Sequence, residues 1–125
     1  MPPVRVVVVD NDAGALELLE LDLRLEGHDV VATAMDGPDG IEACRRTRPD
    51  VLVVDYRMPP GVDGVEVARA VLRDGSAGSV VVYSNYDDPK VVARAEALGA
   101  VWLSKGDLAK LRQAVIDHGR SPGGA

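Results

Sequence analysis

Val51–Pro59 reads VLVVDYRMP, an apolar run rich in β-branched residues that stops on one acid, Asp55, with Met58 and Pro59 just beyond. A run with no polar alternation predicts a strand buried on both faces, since a strand with one wet face would alternate. Open parallel sheets bind ligands at the carboxyl ends of their strands. Asp55 therefore stands where a carboxylate can do chemistry. The plainer reading is an acid that turns the chain.

Other runs end in the same manner. Val6–Val9 leads into Asp10, Asn11 and Asp12, Val80–Tyr83 into Ser84 and Asn85, and Val101–Ser104 into Lys105. With Asp55, four strand ends deliver acid, acid, hydroxyl and amine. One such ending means little, but four together favour a functional edge over four unrelated turns.

Composition sets the bounds. A chain of 125 residues is one domain of ordinary size. Fourteen basic against twenty acidic side chains leave a net charge of −6, which disfavours a binder of phosphate backbones and suits a protein that holds a cation. Cys44 is the single cysteine, so no internal disulfide forms. The opening MPPVRVVVV contains no apolar stretch of signal-peptide or transmembrane length. The expectation is a cytoplasmic protein without a membrane partner. Residues 1–119 read as the domain and 120–125, RSPGGA, as a tail or truncated linker.

Between the strands lie helical segments. Asp12 is placed to cap a helix from Ala13 to Glu26, with Gly27 to stop it, and a second strand follows from His28 to Ala34. Asp36 and Pro38 open the next helix, on which Ile41 and Cys44 lie one turn apart and Cys44 reads as a core residue, before Pro49 returns the chain to an extended path. Asp63 caps a helix with an inward stripe of Val67, Ala68 and Val71. Asp87-Asp88-Pro89 starts a helix ending at Leu98-Gly99, and Asp107 starts the last, with Leu108, Leu111 and Val115 inward. The first helix is ambiguous. Its LELDLRL (Leu19–Leu25) alternates like a strand and, drawn as a helix, has two apolar stripes on opposite sides. Leu16, Leu19 and Leu23 form one; Leu18, Leu21 and Leu25 form the other. Its length, its cap and the need for a crossover favour helix. The second stripe is then either covered by neighbouring side chains or exposed to a partner.

Five βα units with short connections predict an α/β fold: a doubly wound, five-stranded parallel sheet of order 2-1-3-4-5, the flavodoxin-like arrangement. Asp10, Asn11 and Asp55 then converge, flanked by Ser84 and Lys105. Carboxylates beside open space suit Mg²⁺, a hard ion that takes oxygen ligands. An amine and a hydroxyl nearby can hold phosphoryl oxygens. The set suits phosphoryl transfer to Asp55 as nucleophile. Taken singly, Ser84 reads more simply as a turn residue and Lys105 as a solvated surface charge.

From Val4 to about His118 the chain resembles the receiver domain of two-component response regulators, through VVVVDND, VLVVDYRMP with Asp63-Gly64 after it, VVYSN and GAVWLSKGD. The resemblance implies a receiver fold and a phospho-accepting signalling domain, which catalyses only its own phosphorylation and dephosphorylation. It makes Asp55 the phosphoacceptor, Asp10 and Asn11 the acidic pair, and the backbone carbonyl of Arg57 the third contact to Mg²⁺. Ser84 becomes the switch hydroxyl, Lys105 the phosphate-binding lysine and Trp102 the switch aromatic. The implied donor is a sensor histidine kinase. The output would pass through the fourth helix, fifth strand and fifth helix, a surface through which a homodimer could also form. Nucleic acid would be reached only through an output domain that this sequence does not contain.

The chain departs from the family pattern at three places. Asn11 is neutral where a second carboxylate is usual, the Pro59–Gly64 loop is one residue longer than the common form, and Asn85 is larger than the usual alanine or glycine. Arg57 and Tyr86 occupy the positions that in the family flank the path of water to the acyl phosphate. Both are large, and a slowly decaying phosphoryl group is expected. The alternative reading, motivated by Asn11 and Asn85, is a receiver-like interaction module acting without phosphorylation. An aspartyl-nucleophile phosphatase ranks last, because Arg57 stands where its second aspartate would be needed.

Overall fold

The computed structural model describes residues 3–59 and 61–119; the expected tail and Pro60 of the long loop lie outside the described residues. The chain alternates through β1 (Arg5–Val9), α1 (Ala13–Leu25), β2 (Asp29–Ala34), α2 (Gly37–Thr47) and β3 (Val51–Val54). It continues through α3 (Gly64–Arg73), β4 (Ser79–Ser84), α4 (Pro89–Ala97), β5 (Val101–Ser104) and α5 (Leu108–His118). All pairings are parallel, and the order β2-β1-β3-β4-β5 is the one expected.

Valine dominates the strands because both sheet faces are buried. Val7, Val9, Leu52, Val54, Val80 and Val82 enter a core covered by α2, α3 and α4. Val6, Val8, Val51, Val53, Val81 and Tyr83 enter the core covered by α1 and α5. Each Val fully withdrawn from water contributes about 1.5–3 kcal/mol before entropy is counted. Cys44 is fully buried in the first core, as expected of a packing residue.

Each helix begins on an aspartate. The side chains of Asp12, Asp36, Asp63, Asp88 and Asp107 each accept a backbone N–H from the first turn, which satisfies a donor that has no partner inside the helix. Part of the acidic excess is thus structural. Two boundaries differ from the sequence reading. Glu26 is the C-cap of α1 rather than its last residue, and β2 starts at Asp29, while His28 Nδ1 accepts the Val4 N–H at 3.3 Å.

The LELDLRL segment is helical. Leu19 and Leu23 face the core, and between them Asp22 is also buried, because both its oxygens accept from the Arg112 guanidinium of α5. The second stripe is exposed: Leu18, Leu21 and Leu25 are 54%, 56% and 75% accessible. The two stripes lie half a turn apart, so a helix seated on a sheet covers only one of them.

At the other end of the central strand, α3 starts against β3. A Cβ on Gly64 would lie 2.3 Å from the Asp55 carbonyl oxygen, while the Gly64 N–H donates to the Tyr56 carbonyl at 2.8 Å. Only glycine permits that approach. Among the described residues no helix is long and apolar enough to cross a membrane.

Candidate functional site

The ladder of the sheet runs one bond past each strand and so fixes the site residues by their backbone. The Asp10 N–H donates to the Ala34 carbonyl at 3.1 Å, the Asp55 N–H to Val9 at 3.0 Å, and the Lys105 N–H to Ser84 at 3.1 Å. Asp10, Asp55 and Ser84 are all buried. Unpaired, two carboxylates this deep would be costly. Lys105 resolves the cost: its Nζ donates to Asp10 Oδ2 at 2.7 Å and to Asp55 Oδ2 at 3.0 Å.

Burial works against the charge on Lys105, but hydrogen bonds to Asp10 and then Asp55 outweigh it, and the ammonium titrates above its ordinary 10.5. Lys105 is therefore not a solvated surface charge, as its isolated reading held. That reading fails because the partners are 95 and 50 residues away in sequence, and only the sheet order brings them together.

A cavity of about 370 Å³ opens over this bridge, lined by Asp55, Arg57, Ser84, Asn85, Tyr86 and Lys105. The Ser84 hydroxyl oxygen accepts the Tyr86 N–H at 3.2 Å. That bond bends the chain after β4 back across the site. The cavity thus offers a carboxylate, an ammonium and a hydroxyl to one small anionic group, with Asn85 exposed beside them.

Asn11 does not line this cavity. It lies in an adjoining one of about 490 Å³, with Tyr56, Arg57, Met58, Asp63 and Tyr86. Asp12 is engaged elsewhere: its Oδ1 caps α1 at Ala15 N, 3.0 Å away, and its own N–H donates to Asp10 Oδ1 at 2.9 Å. Among the described residues no group of three or more His, Cys, Asp or Glu gathers as a metal site. Asp10 and Asp55 supply two carboxylates, and the amide of Asn11 a neutral oxygen. This set fits a hard divalent cation that keeps several waters, with less charge than three carboxylates would bring.

Arg57 and Tyr86 line both cavities. The Arg57 guanidinium carbon sits 4.5 Å from the centroid of the Tyr86 ring, within cation–π range. Tyr86 stacks in turn on Tyr56, with centroids 4.9 Å apart and planes at 17°. Trp102 also packs near Tyr56, with centroids 5.7 Å apart and planes at 45°. It is half-buried, and its Nε1 is buried without a partner.

Tyr56 was not singled out by the sequence reading. A signal was available: the chain has three tyrosines, one tryptophan and no phenylalanine, and Tyr56 and Tyr86 fall just past the ends of β3 and β4, with Tyr83 and Trp102 inside β4 and β5. Tyr83 closes the edge from the other core, its hydroxyl oxygen accepting the Gly106 N–H at 3.1 Å. Burial, and then the charge of Asp63, push the Tyr56 hydroxyl above its ordinary 10.0, so it stays neutral.

The family model for the response regulator receiver domain matches residues 6–116. The transcriptional regulatory protein AfsQ1 of Streptomyces coelicolor is 37% identical over 92 residues, 74% of this chain and 40% of that protein. A protein-glutamate methylesterase/protein-glutamine glutaminase of Myxococcus xanthus is 41% identical over 103 residues, 81% of this chain and 29% of that protein. The chain thus spans less than half the length of these curated relatives. Among solved structures, the signal receiver domain of the response regulator NarL from Mycobacterium tuberculosis superposes with a TM-score of 0.87 at 35% identity, covering 95% of this chain and 98% of that one.

Proposed function

Since the chain belongs to the response regulator receiver domain family, we propose that Asp55 accepts a phosphoryl group from a sensor histidine kinase and that the domain then repacks to signal an output. The observation that carries this reading is the Lys105 ammonium bonded to both Asp10 and Asp55 in a cavity shared with Ser84. An Asp55 oxygen attacks phosphorus, the bond to the donor's imidazole nitrogen breaks, and its electron pair leaves with the ring. Negative charge accumulates on the phosphoryl oxygens. Lys105 shifts from the carboxylates to those oxygens, and the Ser84 hydroxyl donates to another, which draws the segment after β4 inward.

Receiver domains generally bind Mg²⁺ at the acidic pocket. Here Asp10, Asp55, Asn11 and the Arg57 carbonyl would hold it, and when bound it neutralises phosphoryl charge. Movement of Ser84 frees space for Trp102 to turn, a two-state repacking biased by a local charge. The surface of α4, β5 and α5 then carries the change to an output or to a second copy. The two curated relatives are a transcriptional regulator and a methylesterase, so a receiver of this kind serves unlike outputs. Residues 1–119 act as the receiver. The reading places the domain in the cytoplasm, where such kinases present their phosphohistidine.

The kinase contact is assigned to α1. One of its exposed leucines, Leu18, lines a groove together with Ala15, Leu19, Tyr83, Lys105, Gly106 and Leu108. An apolar helix from the donor laid there would reach the Asp55 cavity.

Incubation with acetyl phosphate and Mg²⁺, followed on a phosphate-affinity gel, tests the reading: the wild type shifts and Asp55→Asn does not. A wild type that never shifts, with or without its kinase, would favour the interaction module, whose supporting observation is that among the described residues no three His, Cys, Asp or Glu gather as a metal site.

A further inference from the structure

We propose that Tyr56 is a positioning residue for the phosphoryl site: its ring holds Tyr86, and through Tyr86 the Arg57 guanidinium, as a screen that slows water's attack on phospho-Asp55. The inference rests on the phosphoacceptor reading and extends it to a residue that touches neither substrate nor metal.

Two contacts in series and a shared lining carry it. Tyr56 stacks on Tyr86 at 4.9 Å, Arg57 sits over the Tyr86 ring at 4.5 Å, and both Arg57 and Tyr86 line the Asp55 cavity and the one next to it. Arg57 is exposed, and a solvated arginine samples many rotamers. Here it has a fixed seat, because an aromatic face attracts a guanidinium. Tyr86 needs a seat as well, since it stands in the irregular segment between β4 and α4. Tyr56 provides it from a rigid base. Its residue follows Asp55 directly, and its carbonyl accepts the Gly64 N–H that docks α3.

Hydrolysis of the acyl phosphate requires a water oxygen to attack phosphorus while the bond to Asp55 breaks. That electron pair returns to the carboxylate, the water proton passes to the phosphate, and inorganic phosphate leaves. The attacking water must arrive opposite the Asp55 oxygen, through the side of the cavity that opens to solvent. A ring and a guanidinium held in that opening exclude it, whereas mobile ones admit it part of the time. Trp102 lies 5.7 Å from Tyr56. Rotation of the switch aromatic therefore alters the packing around Tyr56.

A stacked aromatic pair is worth about 0.5–1.5 kcal/mol, so loss of the stack should speed decay about two- to tenfold. The wild type, Tyr56→Phe, Tyr56→Ala, Tyr86→Ala and the double Ala variant would be labelled with acetyl phosphate, freed of donor and followed by gel. Tyr56→Phe should decay as the wild type, because the ring and not the hydroxyl positions Tyr86. Tyr56→Ala and Tyr86→Ala should each decay faster, and the double variant no faster than Tyr86→Ala alone. That non-additivity separates positioning from a general loosening, which would also lower the melting temperature and act additively. Unchanged decay in Tyr56→Ala, or additive effects, overturns the inference while leaving Asp55 as phosphoacceptor. A wild type that takes no label overturns both.

Discussion

Lys105 and Asn11 show what one residue contributes here. Lys105 compensates two buried carboxylates from a position where its own side chain keeps 19% of its surface. Breaking a fully buried pair costs about 3–5 kcal/mol. For this partly wet lysine the expected loss in Lys105→Met is smaller, about 1–3 kcal/mol after screening, measured by urea unfolding. Asn11, proposed above as a metal contact, brings no charge to that site. Because attraction for a divalent ion scales with ligand charge, Asn11→Asp should bind Mg²⁺ more tightly in a titration read by Trp102 emission. Equal affinities would remove Asn11 from the metal site. The type and position of each strand-end group were legible in the sequence, since a β-branched run that stops on a polar residue marks its own end. The pairing of Lys105 with Asp10 was not, because nothing local encodes a contact across 95 residues.

Among the elements, α1 was the least legible and is now the most informative. Alternation in LELDLRL looked like a strand because one helix carries two leucine stripes and a buried acid. Asp22 reads as surface until its partner Arg112, one helix over, is known. The outer stripe is exposed, so Leu18→Glu with Leu21→Glu should change stability by less than about 0.5 kcal/mol. The same double variant should slow transfer from the kinase while acetyl phosphate labelling stays intact. Unfolding of the variant, or equal loss of both reactions, would contradict the exposed placement. The start of α3 is the opposite case, with no tolerance at all. Gly64→Ala forces a Cβ against the Asp55 carbonyl, with an overpacking cost of about 1–3 kcal/mol. It should also lower labelling at Asp55 more than any substitution on the outer face of α3, such as Arg69→Ala.

For the whole molecule, the rhythm of five βα units made the sheet order readable, because parallel strands need crossovers and right-handed crossovers admit few orders. What rhythm cannot show is the response to pH. Burial first, and then the charge of Asp74, push the Cys44 thiol from 9.0 up to about 12. A raised pKa in the fold means that the unfolded chain loses its proton first, so this contribution is complete below about pH 9 and is lost as pH rises toward 12. Lys105, also raised, acts in the same direction above 10.5. Melting temperature should therefore fall between pH 9 and 11, less steeply in Cys44→Ala, and a thiol reagent at pH 8 should label Cys44 only through opening of the fold. No difference between wild type and Cys44→Ala across that range would place the thiol's burial in doubt.

The sheet has a hard middle and a soft edge. β1 and β3 lie inside it, with Val6–Val9 and Val51–Val54 at 0–1% exposure, while β5 is an outer strand whose Val101, Trp102 and Leu103 are only half-buried. In deuterated water the amides of β1 and β3 should exchange only when the whole domain opens, and those of β5 by smaller openings at lower free energy. The strand that carries Trp102 is thus free to reshape many times within the lifetime of one folded molecule, on a clock of its own.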